Sequence, residues 1–451
     1  MLQGGEESQD PGHFPFLARL EVLPEWEAAA GRFLELGGAV MVLGAPDTGK
    51  STLCRYLVYR AFAAGHTAAL VDLDLGQSHL GPPTTLGLGF FPPRRPGDGS
   101  LNPEGLYFIG QTSPVGAILE VAVGCRILCD QARAAGITRV VVNTSGLAQG
   151  LGALKLKRSQ VELLDPALVL ALQRGEELEP LLRGLGAGEQ GEETSPLQNR
   201  DMPLCHVGAG APRHEPSSSG TPSPLGGKGW GEGGKLSNLM EPTPSWPIMR
   251  LPVSSRVVRR SPEERRSYRE ERFRRYFRPA RRLDLPWGPL VWEGLPLGRG
   301  RPLGPEELAR LSRSLKVAVL HGESQGSRAL LLLAEPPPGP LDELLGPGAG
   351  WDRMHWLSWS SLHFRLVGLL DGRRRTLALA LILPGTWHPR SLALWTPQAP
   401  EAAGQVRFLK VGKIKAAFQK SGGTALSPVR EMLGEPFSYA ELKIARLFIK
   451  S

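Results

Sequence analysis

The sequence predicts an α/β protein, a parallel sheet flanked by helices, followed by a smaller β-rich domain at the carboxy-terminal end. Three observations carry this. From about Leu17 to Leu182, short apolar runs alternate with stretches of helical pattern, and one of those runs feeds a glycine-rich loop that opens a helix. Beyond about Leu283 the helical stretches give way to short apolar runs set apart by Gly and Pro turns. Strands that are apolar throughout are buried on both faces, as in a parallel sheet covered by helices, whereas clustered short strands indicate a β-rich unit.

A chain of 451 residues with 41% apolar content has room for two or three domains with real cores. Lys plus Arg exceed Asp plus Glu by 53 to 44, a formal charge of +9 that favours acidic partners such as nucleic acid. Cys54, Cys125, Cys129 and Cys205 show no CxxC spacing and no neighbouring histidine cluster, which argues against a zinc site or a disulfide framework and for buried thiols. The start, MLQGGEESQDPGHF, has neither the basic flank nor the apolar core of a secretory signal. No apolar segment approaches the roughly 20 residues of a membrane span. An intracellular protein is expected, cytoplasmic in a prokaryote or nuclear in a eukaryote, with no membrane partner.

Taken in order, residues 1–21 read as an extension and 22–282 as the first domain. AVMVLG (39–44), TAALVDLDLG (67–76), LYFIG (106–110), RVVVNTSG (139–146) and ALVLALQR (167–174) are its buried strands. From 184 to 245 the composition turns to Gly, Pro and Ser, which predicts a disordered or loosely held insertion. IMRLPVSS (248–255) then reads as a further strand of the same sheet, so the insertion interrupts the domain and does not end it. In 283–451, KVAVLHG, ALLLLAE, FRLVGLLDG, TLALALIL and VRFLKVGKI supply the strands of the second domain. There is no internal repeat.

The glycine-rich loop is Gly44-Ala45-Pro46-Asp47-Thr48-Gly49-Lys50-Ser51, with Thr52 next, and it fits G-x-x-x-x-G-K-[ST] between a strand and a helix. Glycines let backbone N–H groups converge on phosphate oxygens, and the helix terminus adds partial positive charge. Lys50 reaches the β- and γ-phosphates in such a loop, and the Ser51 hydroxyl is a Mg²⁺ ligand. This places the first domain among P-loop nucleotide-binding folds. No NKxD-type guanine-reading element is present, which favours ATP.

The next strand ends in VDLDLGQ (71–77), where Asp72 and Asp74 alternate with leucines and are expected to point the same way, towards the phosphates. One carboxylate can then sit near the metal while the other accepts a proton from an incoming hydroxyl.

RVVRRSPEERRSYREERFRRYFRPARR (256–282) is the strongest charge feature. Ser261, Pro262 and Glu264 make a helix start with a capping box. Glu270/Arg274 and Glu271/Arg275 are favourable i,i+4 pairs, whereas Arg265 and Arg269 repel at that spacing, with Arg272 on the same side, unless an anion lies between them. A polyphosphate is such an anion, which makes the segment a candidate mobile lid carrying arginines to a transferring phosphoryl group.

With these motifs in place the chain resembles the Clp1/Grc3 polynucleotide 5′-hydroxyl kinases. The resemblance runs over about residues 22–282 and rests on the phosphate loop, DLDLGQ, TSPVG (112–116), NTSGLAQGLGALKLK (143–157) and LPVSSRVVRRSPEERRSYREERFRRYF (251–277). It implies Asp74 as general base, leaving Asp72 with Ser51 for Mg²⁺. It further implies Thr112, Ser113 and Pro114 as the clasp on the nucleic-acid end, with Gln77, and Arg260, Arg265 and Arg269 as the lid arginines. The family often places a tryptophan where Leu147 stands, to stack on a terminal base. The expected function is transfer of the γ-phosphate of ATP to the 5′-hydroxyl of RNA or DNA. The alternatives are an ATP-binding scaffold of an RNA-processing complex and, against the basic lid, a small-metabolite kinase.

Overall fold

A computed structural model describes residues 20–92, 103–186, 246–286, 290–346, 350–384, 391–398 and 400–413. The amino-terminal domain is built on seven strands: β1 Ala39–Gly44, β2 Ala68–Asp72, β3 Thr85–Phe91, β4 Gly105–Phe108, β5 Arg139–Asn143, β6 Leu168–Gln173 and β7 Ile248–Pro252. Their order is β4-β3-β2-β5-β1-β6-β7. Five run parallel, and β1, β2 and β6 are apolar nearly throughout because helices cover both faces.

One edge departs from the expected parallel sheet. β3 pairs antiparallel with β2, and β4 antiparallel with β3. The sequence of β3, TLGLGFF, carries two glycines where a strand signal should be strongest. Packing explains them: a Cβ at Gly87 would lie 2.4 Å from the Leu80 carbonyl oxygen, and one at Gly89 3.0 Å from the Leu80 side chain. The returning loop lies so close over β3 that only glycine fits.

Helices α1 Pro24–Leu36 and α2 Lys50–Ala63 lie on one face, with Trp26, Phe33, Leu53 and Leu57 fully buried against Val40, Val42 and Leu170. α3 Ile118–Ala134 and α4 Gly150–Leu164 cover the other, packing Val121, Cys125, Leu128 and Leu156 on Val71, Val140 and Val142. Each such side chain contributes roughly 1.5–3 kcal/mol by leaving water. Cys54, Cys125 and Cys129 are buried and free; Cys205 lies outside the described residues.

The short helix α5 Glu179–Gly184 overlaps the start of the expected insertion. Leu185, read as part of that insertion, is instead buried beside Leu178 and Leu182. Residues 187–245 lie outside the described residues. β7 returns parallel to β6, with Val169 opposite Ile248, so the sheet resumes after them.

α6, Pro262–Phe277, leads into β8 Arg281–Pro286, which belongs to a second, six-stranded sheet. Its other members are β9 Val291–Glu293, β14 Leu366–Leu370, β15 Thr376–Ile382, β16 Ser391–Thr396 and β17 Phe408–Val411, in the order β8-β16-β15-β14-β17-β9. A four-stranded sheet, β10 Arg301–Pro302, β11 Val319–Gln325, β12 Arg328–Leu333 and β13 Arg353–Ser358, packs with α7 Pro305–Leu315 and α8 Leu341–Leu345. Neither helix was among the sequence expectations, although Pro305 with Glu306 and Glu307 in the first turn of α7 is a helix-start signal.

The two domains meet at β4 and α6. Phe108, Phe273 and Phe277 form one apolar cluster with Leu366, Leu379 and Leu381. The Phe108 N–H donates to Thr376 Oγ1 (3.0 Å), Lys410 Nζ donates to the Phe108 carbonyl (3.1 Å), and the Lys413 N–H to that of Gly110 (2.8 Å). No helix among the described residues is long and apolar enough to cross a membrane.

Candidate active site

β1 ends at Gly44 at the sheet's centre, flanked by β5 and β6, so the loop that follows sits at the carboxyl ends of the parallel strands. A Cβ at Gly44 would press to 2.5 Å from Thr48 Oγ1 and 3.1 Å from the Leu172 carbonyl, which fixes glycine there. Gly49, at φ +89°, turns the chain into α2, whose amino terminus has no side-chain cap. The first N–H groups of α2 therefore face the loop's interior, where an anion satisfies them. Thr48 Oγ1 and Lys50 Nζ both donate to the Ala45 carbonyl, at 2.9 and 2.6 Å. Lys50 is buried, and that burial lowers the pKa of its ammonium group.

This loop forms one wall of a cavity of about 840 Å³, a size suited to a nucleotide-scale ligand. Residues 46–52 line it, as do Asp74, Gln77, Thr112–Pro114, Leu147 and, from above, Arg260, Arg265 and Arg269. Motifs that are far apart in sequence thus share one chamber. Gly44, Ala45 and Asp72 do not reach its wall.

Asp72 corrects an expectation. It is the last residue of β2, paired in register with Asn143 at the end of β5, and Asp74 lies beyond the strand, so the two carboxylates do not point the same way. Asp72 is wholly buried; it accepts from the backbone N–H of Asp74 (3.2 Å), His79 (2.6 Å) and Leu80 (3.3 Å), and from Asn143 Nδ2 (2.9 Å). Its oxygens are turned inward to organise the 73–80 loop, and it meets Ser51 only through the Asn143 amide, which also donates to Ser51 Oγ at 3.1 Å. Burial, with the charge of Asp74 nearby, pushes the Asp72 carboxyl up to about 6.

Asp74 faces the cavity. Its Oδ1 accepts from the N–H groups of Gly76 (3.0 Å) and Gln77 (2.9 Å), and its Oδ2 has no hydrogen bond among the described residues. The turn it closes lies against the clasp, since a Cβ at Gly76 would be 3.2 Å from the Thr112 carbonyl. Gln111 shapes that clasp by donating to the carbonyls of Ser113 (2.6 Å) and Val115 (2.7 Å).

The loop after β5 closes the chamber. A side chain at Gly146 would come within 3.1 Å of Pro46 backbone atoms, so this loop and the phosphate loop touch. Lys157, fully buried on α4, holds it by donating to the Ser145 carbonyl at 3.0 Å. Burial, then the Lys50 charge, drives the Lys157 ammonium down to about 7. Leu147 is half-buried at the mouth, packed against the α3–α4 core.

The arginine segment folds as the expected helix with its full capping box: the Ser261 N–H donates to Glu264 Oε2 (2.6 Å) and the Glu264 N–H to Ser261 Oγ (3.1 Å), together worth about 1 kcal/mol or more. Its side-chain pairing differs from expectation. Glu270 pairs with Arg266 at 2.8 Å, not with Arg274, and Arg274 pairs with Glu271. Arg272 does not join an anion site either: it donates to the carbonyls of His79 (3.0 Å) and Gly81 (2.6 Å). Tyr268 Oη donates to the Ser78 carbonyl (2.9 Å), and Arg260 lies over the Tyr268 ring while donating to Gln77 Oε1 (2.8 Å). His79, buried against Tyr268, has its imidazole driven down to about 4 by burial and then by Arg55. Phe273 and Phe277 anchor the far end, so α6 is latched along its length rather than being a free arm. Arg265 pairs with Asp47, and Arg269 faces the cavity without a hydrogen bond or ion pair among the described residues.

Sequence reasoning missed Asn143, Lys157 and Tyr268 as parts of this site, and it set Arg272 beside an anion rather than on the 79–81 carbonyls. Two of them stand inside a motif, NTSGLAQGLGALKLK, but only the register of β2 on β5 and the depth of α4 give them roles.

Residues 44–215 match the family model described as mRNA cleavage and polyadenylation factor CLP1 P-loop. The chain is similar over most of its length to proteins named polyribonucleotide 5′-hydroxyl-kinase: 25% identical over 375 residues to that of Pyrococcus abyssi, covering 82% of this chain and 86% of the relative, and 26% identical over 378 residues to that of Thermococcus kodakarensis, covering 83% and 87%. The chain is thus similar to Clp1-family proteins, through the phosphate-loop segment in the family model and over most of its length in the archaeal relatives. A chicken polyribonucleotide 5′-hydroxyl-kinase Clp1 is 33% identical over 156 residues, 32% of this chain and 36% of that one, so the likeness to vertebrate Clp1 is local. In fold, the Clp1p of a solved Clp1p–Pcf11p complex superposes with a TM-score of 0.50 at 11% identity, covering 86% of this chain and 78% of that one. The Clp1 fold therefore extends beyond the nucleotide-binding domain into the β-rich one.

Proposed function

We infer that this chain is an ATP-dependent polynucleotide kinase that transfers the γ-phosphate of ATP to the 5′-hydroxyl end of a nucleic acid. The observation that carries the reading is the single chamber shared by the phosphate loop, Asp74, the 112–114 clasp and the arginines of α6. The polyribonucleotide 5′-hydroxyl-kinase name borne by the archaeal relatives supports RNA as an acceptor.

The residues divide the work as follows. Backbone N–H groups of residues 47–51 and the Lys50 side chain hold the β- and γ-phosphates. Asp74, with one carboxylate oxygen uncommitted at the cavity wall, takes the proton of the attacking 5′-hydroxyl. Arg269 and Arg265 meet the charge that develops on the transferring group. Thr112, Ser113, Pro114 and Gln77 position the nucleic-acid end, with Leu147 as an aliphatic rest where a stacking ring is absent.

A magnesium ion fits this site. Ser51 Oγ would supply a ligand, Asn143 Oδ1 beside it is buried without a hydrogen-bond partner among the described residues, and Asp72 lies one amide away. The ion would neutralise phosphate charge, which is the chemistry it adds when bound.

Leu147 favours a second reading, an ATP-binding scaffold with weak grip on nucleic acid, since a missing stacked ring forfeits roughly 1–3 kcal/mol per base. Labelled ATP incubated with 5′-hydroxyl RNA and DNA oligonucleotides, with 5′-phosphorylated versions as controls, separates the two. Label transfer to the hydroxyl ends alone is the expected result; nucleotide binding without transfer to any oligonucleotide would leave the scaffold.

A further inference from the structure

Asp47 is a carboxylate inside a loop whose work is to hold phosphates, where its charge opposes the ligand. Its place in the structure points elsewhere. Its backbone is left-handed at φ +54°, and its side chain, 11% exposed, is turned up towards α6. There Oδ2 accepts from Arg265 Nη2 and from the backbone N–H of Arg260 at 3.2 Å. The Arg174 guanidinium donates to the Asp47 carbonyl, so the residue is fixed from both sides. Arg265 is 34% exposed; among the described residues its buried Nε has no hydrogen bond, and its ion pair is on this carboxylate.

We propose that Asp47 is a positioning residue that seats Arg265, and with it the start of α6, at the lip of the phosphate site before the nucleotide arrives. The proposal rests on the kinase reading above. A guanidinium fixed in advance loses less freedom when it meets the transferring group, whereas the carboxylate that fixes it stands close to the phosphates and weakens their binding. Arg260 and Arg265 are then brought to the loop by the loop itself. Tyr268 and Arg272 hold the next turns of the helix, and Asp47 aligns its first one.

The consequence is a split that a nucleotide ligand or a purely structural residue does not give. In Asp47→Asn, kcat for transfer to a 5′-hydroxyl oligonucleotide falls on the order of ten- to a hundredfold, while KM for ATP stays level or drops. Asp47→Glu restores much of kcat, because it keeps the charge. Arg265→Ala with Asp47→Asn is no slower than Arg265→Ala alone, since the two act through one contact. Trypsin supplies a readout independent of turnover: without nucleotide, cleavage between Arg259 and Arg266 is faster in Asp47→Asn than in the wild type, at matched thermal stability. An unchanged kcat and cleavage rate, a KM for ATP that rises while kcat holds, or fully additive losses in the double variant each overturn the proposal. Wild-type protein that transfers to no 5′-hydroxyl end overturns the kinase reading instead, and the trypsin comparison then decides the Asp47–Arg265 seat alone.

Discussion

The Asp72 carboxylate and the Ser51 hydroxyl are joined through one side-chain amide: Asn143 Nδ2 lies 2.9 Å from Asp72 Oδ1 and 3.1 Å from Ser51 Oγ. A fully buried acid is thereby coupled to the first turn of the phosphate-loop helix. Its carboxyl is raised from 3.8 to about 6 by burial and then by Asp74, so its contribution to stability is fully present below about pH 4 and is lost as pH rises through about 6. At neutral pH the ionised Asp72 is a standing cost that a nearby cation relieves. Mg·ATP should therefore raise the melting temperature more at pH 7.5 than at pH 5.5, and Asp72→Asn should remove most of that difference. Thermal shift with and without Mg·ATP at the two pH values checks this; an equal pH difference in both proteins refutes it.

Lys50→Ala should abolish transfer, and Asp74→Asn should do so with ATP affinity largely kept, because the amide retains the shape and the bonds to the Gly76 and Gln77 N–H groups but cannot take a proton. Single-turnover transfer and equilibrium nucleotide binding measure the two effects separately. Wild-type turnover in Asp74→Asn would remove it as the base.

Arg269 faces the cavity with no hydrogen bond or ion pair among the described residues, whereas Arg266 pairs with Glu270 on the same helix. Arg269→Ala should lower kcat by on the order of a hundredfold or more with a small change in ATP affinity. Arg266→Ala should cost only a few tenths of a kcal/mol of stability and leave turnover near normal. Steady-state rates at one fixed ionic strength are the measure, since salt alters nucleic-acid affinity strongly. Equal modest losses would mark α6 as a generic basic surface.

Lys157 is lowered from 10.5 to about 7 by burial and then by Lys50. For a depressed base the stability is fully present above 10.5 and is lost as pH falls through about 7. Lys157→Met removes the titration together with the brace on Ser145. Its destabilisation should shrink by on the order of 2 kcal/mol between about pH 9 and pH 7. Urea unfolding of both proteins across that range tests it, and a constant difference would show that the ammonium is not desolvated.

Much of this was legible in the sequence because each motif carries its own local physics. The phosphate loop declares itself through glycine spacing, and the start of α6 through Ser261, Pro262 and Glu264. What was hidden depends on contacts between elements. The antiparallel edge of β3 and β4 was obscured because Gly87 and Gly89, required by the close passage of Leu80, erase the strand signal. The inward turn of Asp72 was equally hidden: alternation places it beside Asp74 only if β2 continues, and β2 stops at Asp72. Helix geometry puts Arg265, Arg269 and Arg272 on one side, yet three different partners await them: a loop carboxylate, the open chamber and two carbonyl oxygens.

β4 is the last strand of its sheet, and a bare last strand is a template on which another chain can add. Here the neighbouring domain occupies that position with Thr376, Lys410 and Lys413, each bonded to the backbone of β4 or of the two residues that follow it. The β-rich domain thus acts as an edge guard, shielding the first sheet from intermolecular strand addition. Because Thr112 stands only two residues beyond Gly110, the same bonds give Thr112–Pro114 a foothold in the second domain, so on the proposed kinase reading the grip on the substrate end would be set by both halves of the chain.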